Sequence, residues 1–111
     1  LNNNLCLKKN VVYQLNCLHC KEIYIGETKR YLHTRIKEHI RSISQQDSKS
    51  AFSEHYISKH PNFNFSNNNY FSVSVLEAAK DNADRLIKES MLIDKYNPKI
   101  NREKGWQLLK L

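Results

Sequence analysis

Alternating apolar and polar positions predict two strands near the start of the chain. Residues 10–16 and 22–26 are rich in β-branched and aromatic side chains, and both segments alternate with polar positions. A short polar segment with two cysteines separates them, which predicts a hairpin whose turn is longer than the tightest kind. Gly26 is expected to end the second strand, and Thr28 or a neighbour to open the next helix.

Apolar residues then recur at helical spacing, which predicts a helix over residues 32–43. The stripe consists of Leu32, Ile36, Ile40 and Ile43. Arg35 and His39 are i, i+4 partners on a face turned about 100° from this stripe, so both side chains are expected to point the same way. Taken alone, such a pair is also typical of a solvated helix face.

The remaining pattern predicts one more strand and two more helices. Residues 51–59 favour a helix that is stopped by Pro61, and the Asn-rich stretch 62–69 favours a loop. Residues 70–76 alternate and predict a third strand, and a longer helix follows over 82–96. The order β-β-α-α-β-α predicts an α+β fold, a small three-stranded antiparallel sheet flanked by helices.

Length and charge narrow the possible functions. The 111 residues suffice for one domain, and residues 1–111 are treated as one. Eighteen Lys and Arg against eleven Asp and Glu give a net charge of +7, which favours a nucleic-acid partner over mere solubility. No apolar run approaches the roughly 20 residues of a membrane span, so no membrane partner is expected.

The cysteine count and the first residue bear on the setting of the chain. Three cysteines make an odd number, which argues against a disulfide framework and favours an intracellular, reducing compartment. The first residue is Leu rather than Met, so we expect the chain to be a piece of a longer protein.

Two Cys and His pairs have the spacing of zinc ligands. Cys17-x2-Cys20 and His55-x4-His60 supply four nitrogen and sulfur ligands, enough to close a structural tetrahedron. Such a site would pin the hairpin turn to the second helix. The alternative is that the cysteines are ordinary turn residues and the histidines are surface residues. Two further side chains are spare candidates for one ligand position: Cys6 and His19.

A carboxylate and two tyrosines are candidates for catalysis. Glu89 is expected on the buried stripe of its helix with Leu86 and Ile93, where a carboxylate is costly unless it is paired or bound to metal. The alternative is a glutamate at the helix edge that meets a lysine. Tyr13 and Tyr24 fall on neighbouring strands, where ordinary cross-strand aromatic packing is the competing explanation.

Several of these segments together resemble the GIY-YIG nuclease domain, most closely that of Penelope-like retroelements. Val12-Tyr13 stands where the family has Ile-Tyr, and Tyr24-Ile25-Gly26 keeps its second motif intact. The likeness extends from about residue 6 to 105 and includes the following segments: Gly26-Glu27-Thr28, Thr34 to His39, Ser50-Ala51 with Glu54-His55, Asn101-Arg102, and the Cys-Cys-His-His set. The sequence departs from the family at Val11, where the leading glycine stands, and at Glu27, where some relatives have lysine and Lys29 is the nearest cation.

The resemblance implies an active site and its cofactors. The implied catalytic residues are Tyr13, Tyr24, Arg35, His39, Glu89 and Asn101. Glu89 is expected to hold one catalytic Mg²⁺ or Mn²⁺, and the Cys-Cys-His-His set a structural Zn²⁺. The residues expected to contact DNA are Lys29, Arg30, Lys37 and Arg41.

The resemblance also implies a biological role. The domain is expected to be the C-terminal part of a larger polypeptide with a reverse transcriptase, acting in the nucleus as a monomer or weak dimer. A nick in DNA would supply the 3′-hydroxyl from which that enzyme primes. Two alternatives stay open: a zinc-stapled DNA-binding module without catalysis, and a repair or structure-specific nuclease of the same family.

Overall fold

The computed structural model describes residues 7–60 and 70–103. The elements in chain order are strands and helices with these bounds: β1 (Lys9–Cys17), β2 (Ile23–Tyr31), α1 (Leu32–Ser44), α2 (Ala51–Lys59), β3 (Phe71–Ala78), α3 (Asn82–Tyr96) and α4 (Lys99–Glu103). The predicted α+β fold is confirmed, since the three strands form an antiparallel sheet in the order β2-β1-β3. The short helix α4 was not predicted. The predicted loop 62–69 and Cys6 lie outside the described residues.

The central strand β1 has buried residues on both faces, and its apolar side chains point to both sides of the sheet. Tyr13 and Leu15 point into a core that also contains residues of α1, α2 and α4. Val12 points to the opposite face, where it packs with Ile25 of β2 and Ile93 of α3. The sheet therefore separates two cores. Because β2 is an edge strand, side chains from the two faces of the sheet can approach each other around it.

The expected end of the second strand at Gly26 is wrong, because β2 continues to Tyr31. Residues after Gly26 still pair with β1, including Thr28 opposite Val11, and a register shift beside Asn10 keeps the two strands together. Thr28 consequently lies inside the strand, and α1 begins at Leu32. The glycine was misread as a strand end, whereas its role is close packing between side chains, as described below.

Two side chains lie on other helix faces than the spacing predicted. His39 is 1% exposed and belongs to the buried face of α1, while Ile40 is only partly buried. On α3, Leu86 is 50% exposed, and the inner face that carries the half-buried Glu89 is formed by Arg85 and Ile93 instead. On α1 the buried side chain is His39 where Ile40 was expected, and on α3 it is Arg85 where Leu86 was expected.

Candidate functional site

The two tyrosines of the strand pair lie side by side on one face of the sheet. Tyr13 is paired with Gly26, and Tyr24 lies two residues before this glycine, so both side chains project to the same side. Their ring centroids are 6.5 Å apart. Tyr13 is fully buried and Tyr24 is partly buried. The two phenols therefore converge on one face of the sheet.

Gly26 allows the ring of Tyr13 to lie across β2. A Cβ atom at this position would be 2.6 Å from the phenol oxygen of Tyr13 and 2.9 Å from Cε2 of Tyr24. Both contacts are shorter than real Cβ atoms tolerate. The absence of a side chain at residue 26 thus sets the distance between the two tyrosines.

His39 lies against Tyr13 at the base of the site. Its Nε2 is 2.8 Å from the phenol oxygen of Tyr13, and its ring packs edge-on against Tyr24 and Phe52. Burial, with the nearby charge of Arg35, lowers the pKa of His39 to about 3. The imidazole is therefore neutral over the whole physiological range. Within the described residues, its Nδ1 is the one fully buried side-chain nitrogen or oxygen without a hydrogen-bond partner.

Arg35 lies close to both phenols and partly opposes the effect of their burial. Burial raises the pKa of Tyr13 well above its usual range and that of Tyr24 to about 12, while the charge and hydrogen bonding of Arg35 act in the opposite direction. The Arg35 side chain is 27% exposed, and its Nη1 donates to Glu38 at 3.2 Å. One guanidinium thus bridges the buried phenols and the surface.

Glu89 approaches the same group of side chains from the other face of the sheet. Its negative charge raises the pKa of Tyr24, as does that of Glu27, which follows Gly26 directly. Glu27 is held by the buried Arg85, whose Nε donates to its carboxylate. The half-buried Glu89 carboxylate is a hard oxygen donor of the type that Mg²⁺ and Mn²⁺ prefer, so the residue fits a divalent-cation site.

Asn101 binds the backbone of β2 between the second tyrosine and the glycine. Its Oδ1 accepts from the Ile25 N–H and its Nδ2 donates to the Ile25 carbonyl, both at 2.9 Å. The side chain is 2% exposed and completes the hydrogen bonds of the sheet edge. Asn101 is therefore a buried residue near the site that holds β2 in place.

Cationic side chains line two open grooves that meet at Arg35. The first groove, of about 350 Å³, is lined by Lys29, Arg30 and Arg85 together with Arg35. The second, of about 440 Å³, is lined by Arg35, Arg41 and Lys49 together with the carboxylates of Glu38 and Asp47. Lys37 is exposed on α1 but lines neither of these two grooves. Three of the four residues expected to contact DNA therefore border a surface that passes over Arg35.

The predicted zinc ligands come together between the hairpin turn and α2. Ligand atoms of Cys17, Cys20, His55 and His60 all lie within 4.8 Å of one another. Nε2 of His55 is 3.2 Å from Sγ of Cys20, and Nε2 of His60 is 3.5 Å from Sγ of Cys17. His19 is outside this group of four, and its ring packs against that of His60.

The chemistry of this group suits a soft or borderline cation. Burial raises the pKa of Cys17, but hydrogen bonds from His55 and Tyr56 outweigh it and bring the value to about 5. A thiolate is the form that binds metal, and two sulfurs with two imidazoles complete a tetrahedral set. The four residues are therefore close enough, and of the right kind, to bind a metal ion.

The cluster of Cys17, Cys20, His55 and His60 adjoins the tyrosine site through α2. Phe52 lies one turn before His55 on this helix, with ring centroids 6.4 Å apart. The same Phe52 ring is 5.8 Å from Tyr24 and 5.9 Å from His39. A change in the position of α2 would therefore also move Phe52 relative to Tyr24 and His39.

Sequence reasoning missed Arg85 and its partners. The i, i+4 spacing of Arg85 and Glu89 could have indicated that both lie on one helix face. The partner of Arg85 is Glu27, 58 residues earlier in the chain, and no local pattern indicates that pairing. Glu38, which accepts two hydrogen bonds from Arg30 at 2.7 Å each, was also missed, because that pair joins a strand to a helix and follows no helical or strand spacing.

Comparison with known proteins gives one match. A family model described as the GIY-YIG catalytic domain matches residues 9–104. No curated protein and no solved structure matches this chain. Within the described residues, no helix is both long and apolar enough to cross a membrane.

Proposed function

This chain belongs to the GIY-YIG family of nucleases, and we propose that it is a metal-dependent endonuclease that nicks DNA by phosphodiester hydrolysis. The observation that carries the proposal is the position of Arg35, which acts on both phenols and also lines both grooves. A phosphate bound by Arg35 would lie directly beside Tyr13 and Tyr24. This is the arrangement that attack on a phosphodiester requires.

Tyr13 is the group we assign as proton acceptor. With its proton on Nε2, His39 donates to the phenol oxygen of Tyr13, and Arg35 is the second donor on that side. Burial raises the pKa of Tyr13 well above its usual range, and these two donors act against burial by favouring the phenolate, the form that accepts a proton from water. His39 itself has a pKa of about 3 and is therefore too weak a base for this step near neutral pH. It acts as a positioning residue.

Arg35 and Glu89 complete the proposed reaction. Arg35 neutralises the charge that grows on the phosphoryl oxygens, a task suited to a planar group that stays charged. Glu89 would hold one Mg²⁺ or Mn²⁺, which when bound stabilises the leaving 3′ oxygen. Asn101 keeps β2, and with it Tyr24, in place. One metal-binding carboxylate per site favours cleavage of one strand at a time.

The Cys17, Cys20, His55 and His60 cluster would hold Zn²⁺ as a structural ion. Zinc is the choice because it favours four nitrogen and sulfur ligands in a tetrahedron. The ion would clamp the turn between the two tyrosine strands onto α2. We assign it no chemical step.

The biological setting extends the proposal through the resemblance to Penelope-like retroelements. The domain would be the C-terminal part of a polypeptide with a reverse transcriptase, acting on DNA in the nucleus as a monomer or weak dimer. The nick would provide the 3′-hydroxyl for priming. The basic grooves and the net charge of +7 support DNA as the partner.

A plasmid assay tests the proposal. Purified domain is mixed with supercoiled plasmid and Mg²⁺ or Mn²⁺, and the open-circle product is measured over time. Conversion is expected for the wild type and should be abolished in Glu89→Ala and Arg35→Ala. Glu77→Ala, which removes an exposed carboxylate from β3, is the matched control and should retain activity.

The same assay separates the alternatives. DNA binding without any nicking by the wild type would reject the endonuclease and favour a zinc-stapled DNA-binding module. Strong preference for branched or damaged duplex over plasmid would favour a repair or structure-specific nuclease. Mapping the cut sites on both strands then distinguishes a nick from a double-strand break.

A further inference from the structure

Arg85 is a buried cation that joins three segments of the chain. It is 6% exposed, and its Nε donates to Glu27 of β2. Its Nη1 donates to Oδ1 of Asn10 at 2.6 Å and to Oδ1 of Asn82 at 2.8 Å. A guanidinium is needed here because only its planar fork can reach acceptors on β1, β2 and the first turn of α3 at once.

The remaining nitrogen of this side chain has a different environment. Nη2 of Arg85 makes no hydrogen bond to any residue in the ranges 7–60 and 70–103. It is also not fully shut off from solvent, since His39 Nδ1 is the only unpartnered side-chain atom of that kind in the described chain. Arg85 lines the 350 Å³ groove, and we infer that Nη2, the nitrogen without a described acceptor, is the atom that faces it.

The surroundings of Nη2 suit an anion. Four cations line this groove, namely Lys29, Arg30, Arg35 and Arg85. Glu27 is the carboxylate that lines it, and Arg85 already binds that group. Fixed in place by three other acceptors, the guanidinium loses little side-chain freedom when a ligand binds. The groove floor is therefore a preorganised donor site in a positively charged setting.

We propose that Nη2 of Arg85 binds a backbone phosphate of the DNA that neighbours the scissile phosphate held by Arg35. This inference rests on the proposed function, because it takes DNA as the substrate. Arg85 would then have two roles, joining β2 to α3 and fixing the register of the DNA strand in the first groove. The competing explanation is that Arg85 only joins these elements.

Phosphate interference in a binding assay tests the inference without cleavage. The Glu89→Ala chain is titrated with fluorescent duplexes in which one phosphate at a time is replaced by a neutral methylphosphonate. We expect one position beside the cut site at which the replacement weakens binding about tenfold. Adding Arg85→Gln should weaken binding to unmodified DNA by a similar factor, with no further loss from methylphosphonate at that position.

Salt dependence gives a second readout on the same variants. The slope of log K against log salt concentration should fall by about 0.9 in Arg85→Gln, the value for one lost phosphate contact. Lys95→Gln removes one exposed cation from the other end of α3 and is the matched control, with an unchanged slope. An unchanged slope in Arg85→Gln, or losses that multiply independently at every phosphate, would overturn the inference.

A further pair of variants keeps the test valid if Arg85→Gln does not fold. Leu86 lines the same groove and is 50% exposed, so its replacement leaves the bonds of Arg85 intact. Leu86→Glu should repel the bound phosphate and weaken binding, whereas Leu86→Gln should not. Methylphosphonate at the mapped position should relieve the loss in Leu86→Glu. If it does not, no phosphate lies there, whether or not the domain nicks plasmid.

Discussion

The phenol oxygen of Tyr13 and Nε2 of His39 lie 2.8 Å apart inside a wall of aromatic rings. This contact gives Tyr13 a fixed orientation and assigns the two side chains different roles. Tyr13→Phe keeps the buried ring and removes only the oxygen. We expect its nicking rate to fall at least about 100-fold, the usual contribution of a positioned base. Single-turnover nicking is the measurement.

Stability measurements separate a chemical effect of Tyr13→Phe from a structural one. His39 loses a partner, so the free energy of unfolding should fall by only about 1 kcal/mol. Tyr31→Phe, at the exposed end of β2, is the matched control and should nick at the wild-type rate. If Tyr13→Phe retains its rate while Tyr24→Phe loses activity, Tyr24 is the base instead.

Burial of neutral His39 makes stability depend on pH. Its pKa is about 3 in the folded chain against about 6.5 in the unfolded chain, so the unfolded state binds the proton first on acidification. The contribution of His39 to stability is therefore complete above pH 6.5 and is lost as the pH falls toward 3. From the size of the shift, the loss is of the order of 3–5 kcal/mol.

A difference measurement isolates this contribution. The free energy of unfolding is measured by urea denaturation from pH 7 to pH 4 for wild type and His39→Gln, and the difference between them should shrink on acidification. His33→Gln, which changes an exposed histidine of the same helix, should track the wild type. A pH–rate profile with a limb near 6.5 that disappears in His39→Gln would contradict the assigned positioning role.

Removal of the metal should disturb the active site as well as the turn. Purified protein is expected to contain about one zinc per chain, and Cys17→Ser should lose it. Since α2 carries both His55 and Phe52, chelation should lower the melting temperature and also the nicking rate. Elemental analysis, thermal unfolding and the plasmid assay are the measurements.

The choice of ligands is tested by two further substitutions. Cys6→Ser and His19→Gln should both retain the zinc, because the four clustered side chains already complete the tetrahedron. Loss of zinc from either variant, with retention in His60→Gln, would show that a spare residue replaces one of the four.

Asn101 should act on stability and activity through the strand alone. Asn101→Ala leaves the N–H and C=O of Ile25 without partners at a buried edge, so we expect a loss of roughly 2–4 kcal/mol in unfolding free energy. Asn16→Ala on β1, whose side chain accepts a bond from Gln14, is the control and should cost less. Equal stability of the two variants would contradict this role.

The sequence predicted the architecture well because its pattern is local. Within the described residues, strand alternation and helical spacing indicated the three strands and the three longer helices, and the Cys and His spacing indicated the four-residue cluster. Helix faces were less predictable, because they depend on tertiary contacts. His39 is buried because Tyr13 offers a partner, and Arg85 is buried because Glu27 does.

The end of β2 was also mispredicted because it depends on a tertiary contact. Glycine usually marks a strand end or a bulge, so the strand was expected to stop at residue 26. Whether Gly26 instead gives room to a neighbouring side chain depends on the ring of Tyr13, which belongs to the other strand. The motif is visible in the sequence, but the reason for its glycine is visible only in three dimensions.

The lack of space at Gly26 has a consequence for genetic variation. Any amino-acid substitution at this position adds a carbon that must displace one phenol, so even Gly26→Ala should inactivate the domain while the Cys-Cys-His-His cluster, at the far end of the hairpin, persists. A chain with another residue at 26 would then fold without nicking DNA.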